Sequence, residues 1–308
     1  MHCGPFKAQR VSTLLACAML AFACGTPTEH SASERRLAYY GSLGTQGGGY
    51  VIMRTDGTGQ QILPAPTDAS GCPSFSPNGE HLLFTTYPAL QVATYSLQTR
   101  IETVLTAGPA WNQCPAWSPD GSKIAYFTAI PSQTVGNGIV IMNADGTNKT
   151  QIASDGFSAS GLAWSPDGRF IAASRVPDFS LVLLDPGTGV VLSAVTTVQA
   201  YDPTWSPNGQ YIAFTREAPG GRYIFIVRPD GSSERSLSVF NSDPLPVDNF
   251  SPRWSPDGAF IAFARADLRV PGPRRPYIKL MRADGTELPF QDSLGVEGES
   301  PFWKPLRK

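Results

Sequence analysis

The stretch CPAWSPDGSKIAYF, residues 114–127, is one of five closely related copies in a single chain. The other four are CPSFSPNGEHLLF (72–84), GLAWSPDGRFIAA (161–173), DPTWSPNGQYIAF (202–214) and SPRWSPDGAFIAF (251–263). The central aromatic residue, with a sixth member near the C-terminus, recurs every 41 to 49 residues: Phe75, Trp117, Trp164, Trp205, Trp254 and Trp303. A period of about 40–50 residues with strand-like content is typical of β-propeller blades.

Every copy has the same internal order. In Ser-Pro-Asp/Asn-Gly the proline sets φ for a turn, the Asp or Asn bonds its own backbone, and the glycine takes a positive φ. An apolar strand follows this turn, then a loop of variable length, a third strand such as GIVIMN (138–143), a second turn such as ADGTN and a fourth strand. The pattern predicts four antiparallel strands in each repeat.

The two ends of the repeat array complete each other. The last repeat has only its first strand, at 300–306, and the first repeat has only later strands, at 36–41, 49–59 and 60–63. Their pairing would cover edge strands that otherwise favour aggregation. The sequence therefore predicts an all-β, six-bladed propeller of four-stranded antiparallel blades over residues 36–308, closed by pairing of the N- and C-terminal strands.

The N-terminus has the pattern of an export signal. Residues 1–23 combine a basic start with a short apolar run, and Ala21-Phe22-Ala23-Cys24 resembles a bacterial lipobox. We expect residues 1–23 to be a lipoprotein signal peptide, Cys24 to carry the lipid, and the polar residues 24–35 to form a flexible tether. The mature protein would be exported and held by its lipid, in the outer membrane, facing the periplasm or the cell surface. The alternative is an ordinary signal peptide cleaved near Ala23.

Composition restricts the class of partner. Only 16% of residues are charged and the net charge is −1, so the chain has no electrostatic footprint for nucleic acid. Beyond the N-terminus no apolar run is long enough to span a bilayer as a helix. We expect a monomer that contacts the membrane only through its lipid anchor.

The repeated P-x-W-S-P-D/N-G-x-x-I-A-F/Y pattern, with its later A/P-D-G-T/S turn, resembles the TolB-type propeller, also called the WD40-like or PD40 repeat. The resemblance covers essentially the whole mature chain. It implies a propeller that binds protein partners at the mouth of its channel. Only about eleven residues separate Cys24 from the first strand, so we expect neither the additional N-terminal α/β domain of TolB nor a hydrolase domain.

Few residues are suited to catalysis. The histidines are His2, His30 and His81, and the first two precede the propeller. A Ser-His-Asp triad or a His-rich zinc site is therefore excluded, although the related oligogalacturonate lyases use His ligands. The acidic turn residues Asp120 and Asp167 alternate with Asn between copies, as turn geometry permits and a charged ligand would not. We expect no metal site and no cofactor.

The segment before each aromatic differs between copies, and as the innermost strand it would line the channel. Convergent polar groups in a concave site are the default candidates for binding. The alternative is that polar side chains merely solvate the channel. The candidate binding residues at the channel mouth are Asn112, Gln113, Tyr201, Asp202, Asn249, Ser251 and Glu299.

Two functions are compatible with such a mouth. The first is a non-catalytic scaffold of the cell envelope that engages a protein partner or an envelope ligand through the mouth and its loops. The alternative is a carbohydrate-binding protein, or a lyase- or hydrolase-like enzyme acting on polysaccharides, with Asp202 and Glu299 as acid and base. A third possibility is a structural envelope subunit with no discrete site.

Cys72 and Cys114 occupy the same position in adjacent repeats, three residues before the aromatic. Close to a six-fold axis, neighbouring equivalent positions come within the Cα distance that a disulfide needs. We predict a disulfide between them in an oxidising compartment. Two buried thiols are the alternative. The arginine-rich loops 216–223 and 264–277 could form a basic ledge, or reflect ordinary loop variation.

Overall fold

The structure, a computed structural model, describes residues 35–41, 49–64, 69–130, 137–237, 246–269, 276–288 and 297–306. These residues form strands and no helix. In chain order the strands are β1 (Arg36–Gly41), β2 (Gly49–Arg54), β3 (Gln61–Ile62), β4 (Ala69–Phe75), β5 (His81–Thr86), β6 (Val92–Ser96), β7 (Glu102–Val104), β8 (Trp111–Trp117), β9 (Lys123–Ala129), β10 (Asn137–Asn143), β11 (Thr150–Trp164), β12 (Ile171–Arg175), β13 (Ser180–Leu184), β14 (Val191–Gln199), β15 (Tyr201–Trp205), β16 (Ile212–Ala218), β17 (Gly221–Val227), β18 (Arg235–Ser236), β19 (Val247–Trp254), β20 (Phe260–Asp267), β21 (Tyr277–Arg282) and β22 (Gly298–Trp303).

The described strands pair into four sheets. Two have four strands, in the orders β4-β5-β6-β7 and β22-β1-β2-β3. In the second of these, β1 pairs antiparallel with both β2 and the C-terminal strand β22. A third sheet runs without a break from β8 to β14, and the fourth has the order β15-β16-β17-β19-β20-β21, with β18 also paired to β17.

Two repeat junctions differ from the separate four-stranded blades that the sequence predicts. β11 is 15 residues long and pairs with β10 through its first half and with β12 through its second, so it crosses the junction without interruption. At the other junction β17 pairs parallel with β19 at Gly221–Val247 and Arg222–Asp248. In both places neighbouring repeats share one sheet, through one continuous strand at the first junction and through parallel pairing of two strands at the second.

The hydrogen bonds and backbone angles of the Ser-Pro-Asp/Asn-Gly turns explain why these residue types recur. In the copy at 118–121 the Ser118 hydroxyl donates to Asp120 Oδ1 at 2.6 Å, and the same oxygen accepts the Ser122 N–H at 3.0 Å. Ser118 Oγ also accepts the Lys123 N–H at 2.9 Å. The glycine that ends the turn has φ of 72°. Asn78 and Asn208 accept the same two hydrogen bonds as their aspartate counterparts, so the position requires a side-chain oxygen rather than a charge.

The aromatic residues join one repeat to the next. Trp205 lies in a buried cluster with Ala172 and Leu183 of the preceding repeat, and its indole N–H donates to the Ala163 carbonyl at 3.1 Å. Phe302 and Phe75 meet in the same way, with ring centroids 5.1 Å apart. The hydrophobic core therefore lies between neighbouring sheets, where burial of each large aromatic contributes about 2–3 kcal/mol.

The inner strand of each repeat also contacts the inner strand of the next. This series of contacts runs through β4, β8, β11, β15, β19 and β22, and β22 in turn contacts β4. The residues just before each aromatic are thereby gathered in one region. In the described part of the chain, no helix has the length and apolar character needed to cross a bilayer.

Arg35, just before β1, links the start of the domain to the last full repeat through an ion pair and a cation–π contact. Its Nε donates to Asp257 Oδ2 at 2.5 Å, and its guanidinium carbon lies 5.0 Å from the centroid of Phe260. Both charged side chains are at least 85% covered, with 10% and 15% exposed. Asp257 thus does more than form its turn, unlike the other turn residues of the repeat.

Candidate functional site

Six residues, each three positions before the aromatic of its repeat, share a left-handed backbone; we call them the inner ring. A residue other than glycine pays of order 1–3 kcal/mol for this conformation. At this position the register of the inner strand shifts against its neighbour, as a β-bulge does when it re-aims a side chain. The members and their φ angles are Cys72 (53°), Cys114 (47°), Gly161 (147°), Asp202 (53°), Ser251 (53°) and Ser300 (51°).

Neighbouring members of the inner ring touch one another. Cys72 and Cys114 are joined by a disulfide, with 2.06 Å between the sulfurs and 4.9 Å between the Cα atoms. The Ser251 N–H donates to Asp202 Oδ2 at 3.3 Å. A Cβ added to Gly161 would lie 3.5 Å from the Asp202 Cα. Close contacts therefore join Cys72 to Cys114, and join both Gly161 and Ser251 to Asp202.

Asp202 is the charged member of the ring. It is half-buried, and the dense protein around its carboxyl raises its pKa above the ordinary value. The guanidinium of Arg253, the Ser251 N–H and the more distant Arg222 partly oppose this rise. Asp202 therefore retains a proton to a higher pH than an exposed aspartate, which suits it both to hydrogen bonding and to proton transfer.

Arg253 is a site residue that the sequence analysis missed. It lies one position before its aromatic, and burial lowers its pKa while Asp202 raises it. Its Nη1 donates to the Pro252 carbonyl at 2.8 Å. The available signal was a charged residue where the other copies have small or apolar ones: Ser74, Ala116, Ala163, Thr204 and Phe302.

Asn112 and Asn249, both five positions before the aromatic, are buried anchors. The Asn112 amide donates to Gln91 Oε1 at 2.9 Å, and its oxygen accepts the Thr128 hydroxyl at 2.9 Å. Asn249 donates to the Arg222 carbonyl at 3.0 Å and accepts the Arg265 Nε–H at 2.7 Å. Their polar atoms are bonded within the protein, so both stabilise the strands that carry the inner ring and are not available to a ligand.

The residues four positions before the aromatic are the more accessible set. Gln113 and Tyr201 are half-buried and Glu299 is exposed. The ring of Tyr201 packs against Phe179 with centroids 5.0 Å apart, and burial raises the pKa of its hydroxyl. Of the predicted binding residues, these three and the ring members Asp202 and Ser251 remain open to a ligand.

A buried hydroxyl lies next to this cluster. Thr215 is paired with Tyr201 across β15 and β16, is fully buried, and its Oγ1 has no hydrogen-bond partner among the described residues. The equivalent hydroxyl three repeats earlier, Thr85 Oγ1, accepts the Cys114 N–H at 3.1 Å. Thr215 is therefore a free hydrogen-bonding group on the strand that pairs with the start of β15.

The arginines of the variable loops do not form an open basic ledge within the described residues. Arg216 donates to both carboxylate oxygens of Glu234, at 2.6 and 2.8 Å, and lies over two phenylalanine rings. The other described loop arginines also face carboxylates: Arg222 with Glu217, Arg265 with Glu287 and Arg269 with Asp267. Arg274 and Arg275 lie outside the described residues.

The described residues contain no group of three or more His, Cys, Asp or Glu side chains that could hold a metal ion. His81 lies at the start of β5, away from the inner ring. The predicted lipidation residue, Cys24, lies outside the described residues, as do the signal peptide and all but the last residue of the tether.

Known protein families and solved structures share the sequence pattern and the fold of this chain. The sequence profile of the TolB β-propeller domain (PD40) matches residues 25–245. The fold is similar to TolB from Acinetobacter baumannii, with a TM-score of 0.66 and 19% identity over 88% of this chain and 67% of that one. It is also similar to a putative TolB from Agrobacterium tumefaciens, with a TM-score of 0.65 and 22% identity over 88% and 96% of the two chains.

A further structural neighbour is an oligogalacturonate lyase in complex with manganese. Its TM-score is 0.53 and its identity 16%, over 82% of this chain and 72% of that one. At identities this low the structural likeness shows a shared fold alone. No curated protein matches the chain.

Proposed function

Because the chain belongs to the TolB β-propeller family, we propose that it is a non-catalytic scaffold of the cell envelope that binds a protein partner at the mouth of its channel. The observation that carries this proposal is the inner ring. Its six positions converge, five of them carry a strained backbone, and the only charged one, Asp202, is surrounded by groups that can receive a ligand. Strain of this kind is maintained where geometry matters for function.

The proposed architecture is a closed ring of six blades. Its support is the circuit of contacts among the six inner strands, together with the antiparallel pairing of β1 with β22. In this arrangement β22 supplies the inner strand of the blade that contains β1, β2 and β3. The turns then lie at one end of the channel and the mouth at the other, because each inner strand runs from the mouth to a turn.

The mouth offers a mixed surface to a partner. Tyr201 contributes an aromatic face, Gln113 an amide and Glu299 an exposed carboxylate. Below them, Asp202 and Ser251 of the inner ring offer hydrogen-bonding groups. Aromatic residues beside polar groups are enriched where proteins bind other proteins.

The alternative is a carbohydrate-binding or polysaccharide-active protein that uses the carboxylates of the channel. The raised pKa of Asp202 favours it, since a carboxyl that acts as a general acid must keep its proton to a higher pH than an exposed aspartate does. The similar fold of an oligogalacturonate lyase adds a precedent at the level of the fold. The described residues, however, supply no cluster of metal-binding side chains with which to hold a manganese ion.

We further propose export and lipid anchoring through Cys24, in the outer membrane and facing the periplasm or the cell surface. The proposal rests on the sequence of residues 1–24. Labelling with a radioactive fatty acid in a Gram-negative host tests it. We expect label in the wild-type protein and none in Cys24→Ser, whereas a labelled Cys24→Ser protein would contradict the assignment.

The binding role is tested by crosslinking in the native host, followed by affinity capture and mass spectrometry. We expect Asp202→Ala and Glu299→Ala to lose the same captured protein while remaining folded, as a cooperative thermal melt would show. Glu80→Ala is the matched control, because this exposed carboxylate lies beside a turn at the opposite end of the inner strand. Identical capture by all four proteins would refute the mouth as the binding surface. Cleavage of polygalacturonate by the wild type would favour the alternative.

A further inference from the structure

Three cavities recur at equivalent places on the side of the molecule that carries the turns; we call them junction grooves. Each lies between the turn of one repeat and the aromatic residue of the next. The first groove, beside Trp117, has a volume of about 400 Å³. The second, beside Trp164, has about 480 Å³, and the third, beside Trp254, about 390 Å³. Each volume exceeds what one sugar ring occupies and falls within the range of small-molecule sites.

The tryptophans of the three grooves differ from the other two tryptophans of the series. Trp117, Trp164 and Trp254 each have a buried indole N–H without a hydrogen-bond partner among the described residues. By contrast, Trp205 and Trp303 donate this N–H to a carbonyl of the preceding repeat, at 3.1 and 2.9 Å. A buried donor left unsatisfied costs about 1–3 kcal/mol.

The residue at one sequence position differs between the junctions that have a groove and those that do not. It lies six residues after the aromatic and faces the aromatic of the next repeat. Where it is Phe170, its ring stacks on Trp205 with centroids 6.5 Å apart and planes at 12°. Where it is Phe260, the Arg35 guanidinium lies over the ring. At the three junction grooves the same position is His81, Lys123 or Tyr211, which line the open space.

The opposite wall of each groove is polar, and in the first and second grooves it is mainly acidic. The third groove is lined by both Asp257 and Arg235, whose charges are opposite. Asp120 lines both the first and the second groove. Hydrogen bonds from the Ser118 hydroxyl and from Ser122 lower the pKa of Asp120 to about 2, so it is ionised at neutral pH. Asp145 adds to the first groove, and Asp167 to the second, where Lys123 offsets one charge. An anionic ligand is therefore disfavoured in the first and second grooves.

We propose that the junction grooves are sugar-binding sites, each taking one pyranose ring of a neutral or amine-bearing glycan. A pyranose has an apolar C–H face, which fits the indole, and a rim of hydroxyls, which fits the Asp, Asn and Ser oxygens on the other wall. Three sites on one side let a single glycan, or several, bind with avidity. This role is separate from the protein-binding mouth and does not depend on it.

The test uses the purified full-length protein and three hexasaccharide probes: cellohexaose, the hexamer of chitosan, and oligogalacturonate. Tryptophan fluorescence and titration calorimetry report binding. We expect cellohexaose or the chitosan hexamer to bind and to change the indole fluorescence, and oligogalacturonate not to. The decisive variant combines His81→Phe and Lys123→Phe, which fills the first and second grooves as Phe170 fills its junction. We expect it to weaken binding by about tenfold or more.

The filled variant should fold, because Phe already occupies this position in two repeats. Its melting temperature, measured in parallel, checks this point. Thr103→Phe, on an exposed position of the outer strand β7, is the matched control and should bind the probe as the wild type does. The proposal is overturned if neither the neutral nor the amine-bearing probe binds, if the filled variant binds undiminished, or if oligogalacturonate binds best. Sugar binding at the junction grooves should be the same in the Asp202→Ala variant, whether or not that variant loses its captured protein. The two proposals can therefore fail independently.

Discussion

Removal of the Cys72–Cys114 disulfide should destabilise the protein by an amount that follows from its position in the chain. The bridge closes a loop of 42 residues. In the chain-entropy treatment, such a loop removes about 13 cal/mol/K from the unfolded state, or about 4 kcal/mol at 25 °C. Replacing both cysteines by serine restores that entropy. The left-handed backbone at the two positions is kept, so its strain is present before and after the change and largely cancels.

The measurement is urea unfolding of the wild type and of Cys72→Ser/Cys114→Ser, followed by tryptophan fluorescence. With an m value of ~3 kcal/mol/M, a loss of about 4 kcal/mol lowers the midpoint by about 1.3 M. Dithiothreitol should shift the wild type to the same midpoint and leave the double variant unmoved, which makes the variant its own control. A wild-type midpoint that is insensitive to reductant, with the bond shown by mass to be cleaved, would refute the reasoning.

Two further predictions concern carboxylates whose pKa values move in opposite directions. Asp202→Asn should stabilise the protein at pH 7, because the raised pKa of Asp202 means that its ionised form destabilises the folded state. Thermal melts should show that this stabilisation shrinks as the pH falls toward about 4. A stabilisation that grows as the pH falls would contradict the prediction. Burial acts to raise the pKa of Asp257, but hydrogen bonds from Ser255, Ala259 and Arg35 hold that pKa below its usual range. The contribution of Asp257 to folding stability is therefore present above about pH 4 and is lost as the pH falls through the folded-state pKa. Asp257→Asn should therefore cost about 1–2 kcal/mol in urea unfolding at pH 7, and equal losses in the matched variant Asp167→Asn would show that the Arg35 pair contributes nothing.

The repeat made much of the fold predictable. Its period and its turn residues indicated an all-β propeller, and the TolB family match and the structural neighbours confirm that class. The Ser-Pro-Asp/Asn-Gly tetrapeptide is a local signal, so its geometry followed from its composition alone. The continuity of β11 was not predictable, because nothing in residues 150–164 marks where one repeat should stop pairing and the next begin.

The candidate site was predictable only in outline. The segment before each aromatic was identified, but its three positions have different environments that the sequence does not distinguish. Asn112 is buried and fully bonded, while Gln113 beside it is half-buried and accessible. The left-handed φ of Asp202 and Ser251 was also missed, since neither residue is a glycine and the following proline restricts the residue before it without indicating a positive φ. Long-range neighbours, such as Arg253 for Asp202, depend on the assembled sheets.

The uninterrupted strand β11 has a consequence for cooperativity. Phe157 at its middle pairs with Asn137 on one side and with Arg175 on the other, so the two repeats are tied through the same peptide groups. Opening one repeat would release hydrogen bonds that the other needs. Residues 137–184 therefore form one unit of local unfolding, in which amide protons from both repeats exchange together. Elsewhere, as between β7 and β8, the sheets are separate and adjoining repeats can open one at a time.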